Sequence, residues 1–322
     1  MEFNWNAWSE KDRLTYLSSR ALEQRIGEVI NGTSSPKYLI IGIEESVGPQ
    51  ANLGKGGSEN AFHSFCQKFL SMQSTKETDF SQVAIMGSIS IENLPTSMTL
   101  VQKRETVEKL DDFIIAQMNK LLTPDTIPII IGGGHNNAFP IIQALSSHHQ
   151  SPLSVVNLDA HADYRPLEGR HSGNPFSYAF DSGSLSHYSV LHLQKRYNSQ
   201  KTLDQLKRDG HFFTFHEDYI DNSRNFENDL IQVHQYFSNY PHTGIELDLD
   251  TIENMPSSAI SCSGVSMHQA RKYIRAFAQS KTVRYMHLPE GAPTNTHENN
   301  MVGKALAYLV TDFIEVHQKH NR

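Results

Sequence analysis

Apolar residues along the chain fall into short uninterrupted runs, separated by longer stretches where they recur every three or four positions. The runs are Tyr38-Leu39-Ile40-Ile41-Gly42-Ile43, Val83-Ala84-Ile85-Met86-Gly87, Ile129-Ile130-Ile131 and Leu153-Ser154-Val155-Val156, then segments at 189–193, 212–215, 244–249 and 283–288. Short β-branched runs bounded by turn-forming residues predict buried strands. The helical spacing between them predicts helices near 61–72, 99–122, 201–208, 224–238, 266–278 and 299–316. Leu14, Leu17, Leu22, Ile26 and Ile30, with charges between them, predict a further amphipathic helix within 9–31. About eight strand–helix alternations make this an α/β chain with a mainly parallel sheet covered by helices on both faces. No repeat, low-complexity tract or linker interrupts the pattern, so a single domain over 1–322 is the simplest division.

Composition narrows the partners. The net charge is −7 with both signs scattered, which leaves no basic footprint for nucleic acid and favours a small-molecule partner. Cys66 and Cys262 are the only cysteines, too few for a disulfide framework or a thiolate zinc site, and they suit a reducing compartment. The start, Met1-Glu2-Phe3-Asn4-Trp5, lacks the basic and apolar parts of a signal peptide, and no apolar run reaches membrane-spanning length. The expectation is a soluble cytoplasmic protein without a membrane partner. Of the 17 histidines, His148, His149, His242, His317 and His320 lie in polar surroundings and read as surface residues.

The chemistry gathers just past the strands. Asn157-Leu158-Asp159-Ala160-His161-Ala162-Asp163 follows the run at 153–156, His135 follows Ile129–Ile131 through Gly132-Gly133-Gly134, and Asp248 and Asp250 close the run at 244–249. Alternate residues of an extended segment point the same way, so Asp159, His161 and Asp163 can project together, as can Asp248 and Asp250. Ligand crevices of open α/β sheets form at the carboxyl ends of their strands. Four carboxylates and two imidazoles there suit two divalent ions of intermediate hardness, such as Mn²⁺. The loops near 44–57, 164–175 and 251–265 all follow strands and would wall such a site. The glycine-rich loop from Gly48 to Gly57 has neither dinucleotide-binding nor P-loop spacing, so its glycines read as turn formers.

Gly133-Gly134-His135, Asp159-Ala160-His161-Ala162-Asp163 and Asp248-Leu249-Asp250 resemble the metal motifs of the ureohydrolases, the superfamily of arginase, agmatinase and formimidoylglutamase. The resemblance runs from Gly42 to Glu290. It implies a three-layer αβα arginase-type fold, a homo-oligomer (trimer or hexamer) and two manganese ions per chain. His135, Asp159, Asp163 and Asp248 would hold one ion, and Asp159, His161, Asp248 and Asp250 the other. The surroundings resemble formimidoylglutamase most, through Gly132 before Gly133-Gly134-His135, Asp163-Tyr164-Arg165 and Ser172-Gly173-Asn174-Pro175-Phe176. Three positions depart from family patterns: Asn136 replaces a glutamate, Glu253-Asn254 replaces Asp-Pro, and Phe176 stands where arginases carry a proton-shuttling histidine.

The activity implied is hydrolysis of N-formimidoyl-L-glutamate to formamide and L-glutamate, a step of histidine metabolism. Two ions about 3.5–4 Å apart can bridge one water and supply hydroxide at neutral pH. Glu290 would contact the amidinium, Arg165 and Arg170 the substrate carboxylates, with Ser172 and Asn174 beside them, and His171 would protonate the leaving amine. The alternatives are an arginase- or agmatinase-type guanidino hydrolase releasing urea, a zinc deacetylase-like enzyme, and a non-catalytic relative.

Overall fold

A run such as Ile129-Ile130-Ile131 has no polar face, and the fold buries both of its sides: Ile129 and Ile131 enter one apolar core while Ile130 enters another. The computed structural model describes residues 1–17 and 20–321. Nine strands form one sheet: β1 Glu2–Ala7, β2 Tyr38–Glu44, β3 Val83–Glu92, β4 Ile127–Ile131, β5 Leu153–Leu158, β6 Leu185–Leu193, β7 Phe212–Phe215, β8 Thr243–Leu247 and β9 Val283–Leu288. Their order is β1-β3-β2-β4-β9-β8-β5-β6-β7, and every pair is parallel except β1 with β3. One core lies under helices Ala61–Phe69, Phe226–Phe237, Met267–Phe277 and Thr296–His320; the other lies under Leu100–Leu121, Ala138–His149, Pro175–Asp181 and Gln200–Arg208. This is the expected three-layer arrangement, with one more strand than expected.

The differences have physical reasons. β1 was not expected; its Phe3 and Trp5 pack on the second core at an edge of the sheet, while most of the strand stays accessible. The helix expected within 9–31 is instead two short ones, Glu10–Tyr16 and Ile26–Val29. Ser9 and Asp12 cap the first, Leu17 is extended, and Leu22 has a left-handed φ of 67° with its side chain in solvent. The apolar spacing there does not mark one face; Ser18 and Ser19 lie outside the described residues. Helix Ala138–His149 was not foreseen because its first half is apolar on all sides, a pattern with no helical stripe. The surface reading of three histidines is corrected: His317 is buried against Tyr38, its Nδ1 lying 2.9 Å from the phenol oxygen, and half-buried His149 stacks on His242 at 4.3 Å. No helix among the described residues is long and apolar enough to cross a membrane.

Candidate metal centre

Four neighbouring strands, β4-β9-β8-β5, end side by side and send the polar residues past their carboxyl ends into one place. After β4 the chain turns through Gly133, whose φ is 71°; a Cβ there would sit 2.4 Å from the Asn137 amide nitrogen, so the bend requires glycine. Glu45, at the end of β2, locks the turn. It accepts hydrogen bonds from Gly134 N–H and Asn137 Nδ2, each at 2.8 Å, and from Gly48 N–H at 3.0 Å. Asp163 and Glu290 also adopt left-handed backbone, φ 46° and 67°, an uncommon state for side chains with a Cβ that concentrates at functional sites.

The six expected ligands come together in two groups that share Asp159. His135, Asp159, Asp163 and Asp248 form one; Asp159, His161 and Asp250 form the other; within each, the ligand atoms lie within 4.8 Å of one another. His135 Nδ1 lies 2.9 Å from Asp163 Oδ2, 3.0 Å from Asp248 Oδ2 and 3.2 Å from Asp159 Oδ2. His161 Nδ1 lies 3.0 Å from Asp250 Oδ2. Asp248, implied for both ions, falls in the first group only.

The electrostatics of these residues fit resident cations. One imidazole nitrogen cannot serve three carboxylates. Burial, then the neighbouring Asp163, pushes Asp159 up to about 7, and burial with Asp250 and Asp159 pushes Asp248 well above the carboxylate range. Asp250 Oδ1 is buried without a hydrogen-bond partner among the described residues. A cluster of carboxylates this starved of positive charge is what divalent ions stabilise, and its oxygen-rich donor set with two imidazoles suits manganese.

Behind His135 lies a network that strand periodicity alone does not reveal as functional. Glu246 Oε2 is 2.7 Å from His287 Nδ1 and 3.4 Å from His135 Nε2, while Tyr285 donates to its Oε1 at 2.8 Å. All four residues are fully buried. Burial alone would raise Glu246, but His287 and His135 outweigh it and hold the carboxyl down to about 2. Glu246 is thus an anion facing the far nitrogen of a candidate ligand, which orients the ring and leaves Nδ1 for the metal side. The available signal was its charge inside a buried strand, two residues before Asp248. Asn157 similarly donates to Asp159 Oδ2 at 2.9 Å.

A cleft of about 500 Å³ opens onto His161, Asp163, Asp248, Asp250 and Glu290. The three expected loops wall it through Asn52, Arg165, Ser172 and Ser258, and Tyr197 joins them, stacked on His161 at 5.3 Å. Glu290 is buried, accepting from His135 N–H at 2.8 Å and from the Ser258 hydroxyl. Burial, with Asp250 and Asp163 nearby, raises it to about 8. Arg165 is about half exposed, bonded to Asn52 Oδ1 at 2.9 Å and to Glu168 Oε1 at 2.5 Å. Ser172 Oγ accepts from Asn52 Nδ2 at 3.4 Å.

Arg170, His171 and Asn174 are not among the described residues lining the cleft. The buried Arg170 guanidinium is consumed by Asp111 Oδ2, Asn174 Oδ1 and the Asn136 carbonyl, each at 2.8 Å, between the rings of Phe139 and Tyr178. It staples the 164–175 loop to the helices beneath. His171 is buried as well; its Nδ1 accepts from Gly173 N–H at 3.1 Å, and its Nε2 meets Asn174 Nδ2 at 3.0 Å and Glu168 at 3.2 Å. Burial, then Arg165 and Arg104, hold it down to about 4. Asn174 spends both ends of its amide inside the same loop. Phe176 packs edge-on against the His135 ring at 5.2 Å, an apolar support for the candidate ligand.

The arginase family model matches residues 40–315. A formimidoylglutamase of Macrococcus caseolyticus is 24% identical over 258 residues, 79% of this chain and 77% of that protein. The crystal structure of formimidoylglutamase from Bacillus subtilis superposes with a TM-score of 0.80 at 17% identity, covering 98% of this chain and all of that one. That of Trypanosoma cruzi formiminoglutamase with Mn²⁺ superposes with a TM-score of 0.74 at 19% identity, covering 91% and 99%. These likenesses establish the fold.

Proposed function

The chain belongs to the arginase family, and from that premise we propose that it hydrolyses N-formimidoyl-L-glutamate to formamide and L-glutamate. The observation that carries the reading is the pair of ligand groups sharing Asp159, open to a cleft with a buried acid on one side and an arginine on another. Two manganese ions bound by these groups would lower the pKa of a water enough to supply the nucleophile. The oxygen of that water joins the formimidoyl carbon, the bond from this carbon to the glutamate nitrogen breaks, and both protons of the water end on that nitrogen, which leaves as the ammonium of glutamate.

The chain's own residues position the substrate. Glu290, its backbone tied to the β4–His135 turn, offers a carboxylate to the two donor directions of a cationic amidinium. Pairing with that cation brings its pKa down from the value to which burial raises it. Arg165 presents a planar fork to a substrate carboxylate; Asn52 and Ser172 line the same wall. This combination of one acid and one reachable arginine favours an acidic amidine over agmatine. Proton delivery to the departing amine is not assigned to His171, whose nitrogens are both engaged within its loop. A cytoplasmic homo-oligomer, trimer or hexamer, acting in histidine breakdown belongs to the same reading.

Incubating the manganese-loaded protein with N-formimidoyl-L-glutamate, arginine and agmatine tests it. Formamide and glutamate are expected from the first alone; urea from either of the others, with no turnover of the first, would assign guanidine hydrolysis instead.

A further inference from the structure

At the opposite end of the central strands, where they begin, lies a second cavity of about 390 Å³. Six basic side chains line it: Lys37 just before β2, His149 ending helix Ala138–His149, His242 just before β8, Lys281 and Arg284 around the start of β9, and His317 from helix Thr296–His320. Asp125 is the one acid among its described lining residues. His148, beside His149, is a further titratable group near it.

Cations at this edge have an ordinary explanation, because helices of a parallel α/β fold end here and cations complement their exposed carbonyls. Several of those carbonyls at the two helix ends are already capped by other donors. Ser151 N–H donates to Ser146 O at 3.1 Å, and the Asn321 N–H and side-chain amide both donate to His317 O, at 3.0 and 2.9 Å. The acceptors of Arg284 are all neutral: His242 Nδ1 at 3.0 Å and the carbonyls of Lys281, Val283 and Pro241 take four of its five N–H groups, so its charge stays uncompensated and it meets an anion through the one that remains. Lys37 lies 5.9 Å over the Tyr38 ring. Because His242 Nδ1 accepts from Arg284, its ring proton sits on Nε2 as a second donor. Burial, then His242, Arg284 and His148, hold His149 down to about 4; burial, then Lys37 and Arg284, do the same to His317. His242, Lys37 and Arg284 are lowered by burial too. Against these six basic groups Asp125 stands alone among the described lining residues, and it raises Lys37 against the burial that lowers it.

We propose that this cavity binds a compact dianionic oxyanion, held by Arg284 and Lys37 with the ring N–H groups of His149 and His242 around it. Inorganic phosphate and the phosphate group of a phosphorylated metabolite share that chemistry. The site is independent of the reaction assigned above. β4, β8 and β9 each begin at this cavity and end at the metal centre, so a bound anion would brace the strands that carry His135, Asp248 and Glu290. The anion supplies the missing counter-charge, so the histidines take up protons as it binds.

Calorimetric titration of the manganese-loaded chain with sulfate at constant ionic strength tests this, because sulfate keeps one charge across the pH range used. One saturable site per chain is expected, tighter at pH 6 than at pH 8. Lys37→Gln, remote from the cleft, should weaken it about tenfold, the weight of one charge-assisted hydrogen bond, with formamide release unchanged. His149→Gln should reduce the pH dependence, which a merely structural role would not. Parallel titrations with inorganic phosphate and glycerol phosphate identify the source: tighter binding of the ester points to a metabolite, tighter binding of the free ion to inorganic phosphate. No saturable binding of any of the three, or equal binding by wild type and Lys37→Gln, overturns the proposal.

Discussion

His135 Nδ1 and Asp163 Oδ2 stand 2.9 Å apart although their residues follow β4 and β5, which are separated in the sheet by β9 and β8. The contact spans two strands because the backbone bends sharply at both ends, at Gly133 and at Asp163 itself, each with positive φ. Asp248 follows β8, which lies between them, and its carboxylate reaches the same His135 nitrogen at 3.0 Å, so the centre is a product of several strand termini rather than of any one motif.

Asp159 is the residue both ligand groups share, so Asp159→Ala should disable both positions together. Elemental analysis of the manganese-equilibrated variant should give well under two ions per chain, and formamide release should drop to background, while circular dichroism shows the fold retained. Retention of two ions with undiminished turnover would contradict the shared-ligand arrangement.

Glu246 meets His287, His135 and Tyr285, none of them among the described residues that line the cleft, so its effect should appear in metal binding first. Glu246→Gln removes the charge but keeps the size, and should weaken manganese affinity about 10–100-fold. Competition against a chelator reads this directly. Turnover at saturating manganese should recover most of the wild-type rate, which distinguishes positioning from chemistry.

How much of this was visible in the chain follows from what is local. The parallel strands could be read because runs such as Ile129–Ile131 are apolar on both faces, and the six ligands because each sits within a few residues of such a run. β1 was hidden because an edge strand with one packed face, Glu2–Ala7, mixes polar and apolar residues like a loop. The role of Arg170 is hidden for a different reason: its partner Asp111 lies 59 residues away on helix Leu100–Leu121, and nothing near Arg170 in the chain announces that its charge is already spent. His171 was likewise judged by its neighbours in sequence, when its burial and its bond to Gly173 decide its role.

Arg170 therefore belongs to stability. Arg170→Met leaves Asp111 buried without its partner, a loss of about 3–5 kcal/mol, so a clear fall in melting temperature is expected with KM little changed. Pairing it with Asp111→Leu should restore much of the loss. A large rise in KM without loss of stability would return Arg170 to the substrate.

Arg165 should behave in the opposite way. Arg165→Ala is expected to raise KM for N-formimidoyl-L-glutamate about 10–100-fold, the range of a charge-assisted contact, with kcat and melting temperature near wild type. Glu168→Gln loosens the internal competitor for this guanidinium and should lower KM. Steady-state kinetics on the two variants check both.

The raised carboxyls make the metal-free protein sensitive to pH. Asp159 holds its proton up to about 7 and Glu290 up to about 8 in the folded chain, against ordinary values of 3.8 and 4.5. Between those limits the folded state binds more protons than the unfolded one, so stability falls as pH rises through the window. Manganese replaces the protons. The gap in melting temperature between loaded and metal-free protein should therefore widen from pH 5 to pH 8, with protons released on binding; a gap that narrows would contradict the arrangement.

The most direct measurement is formamide release from N-formimidoyl-L-glutamate followed against manganese added per chain to metal-stripped protein. The structure leads us to expect no release without metal and a maximum at two equivalents, with one glutamate formed per formamide. Full activity at one equivalent, or no formamide at any manganese level, would contradict the account.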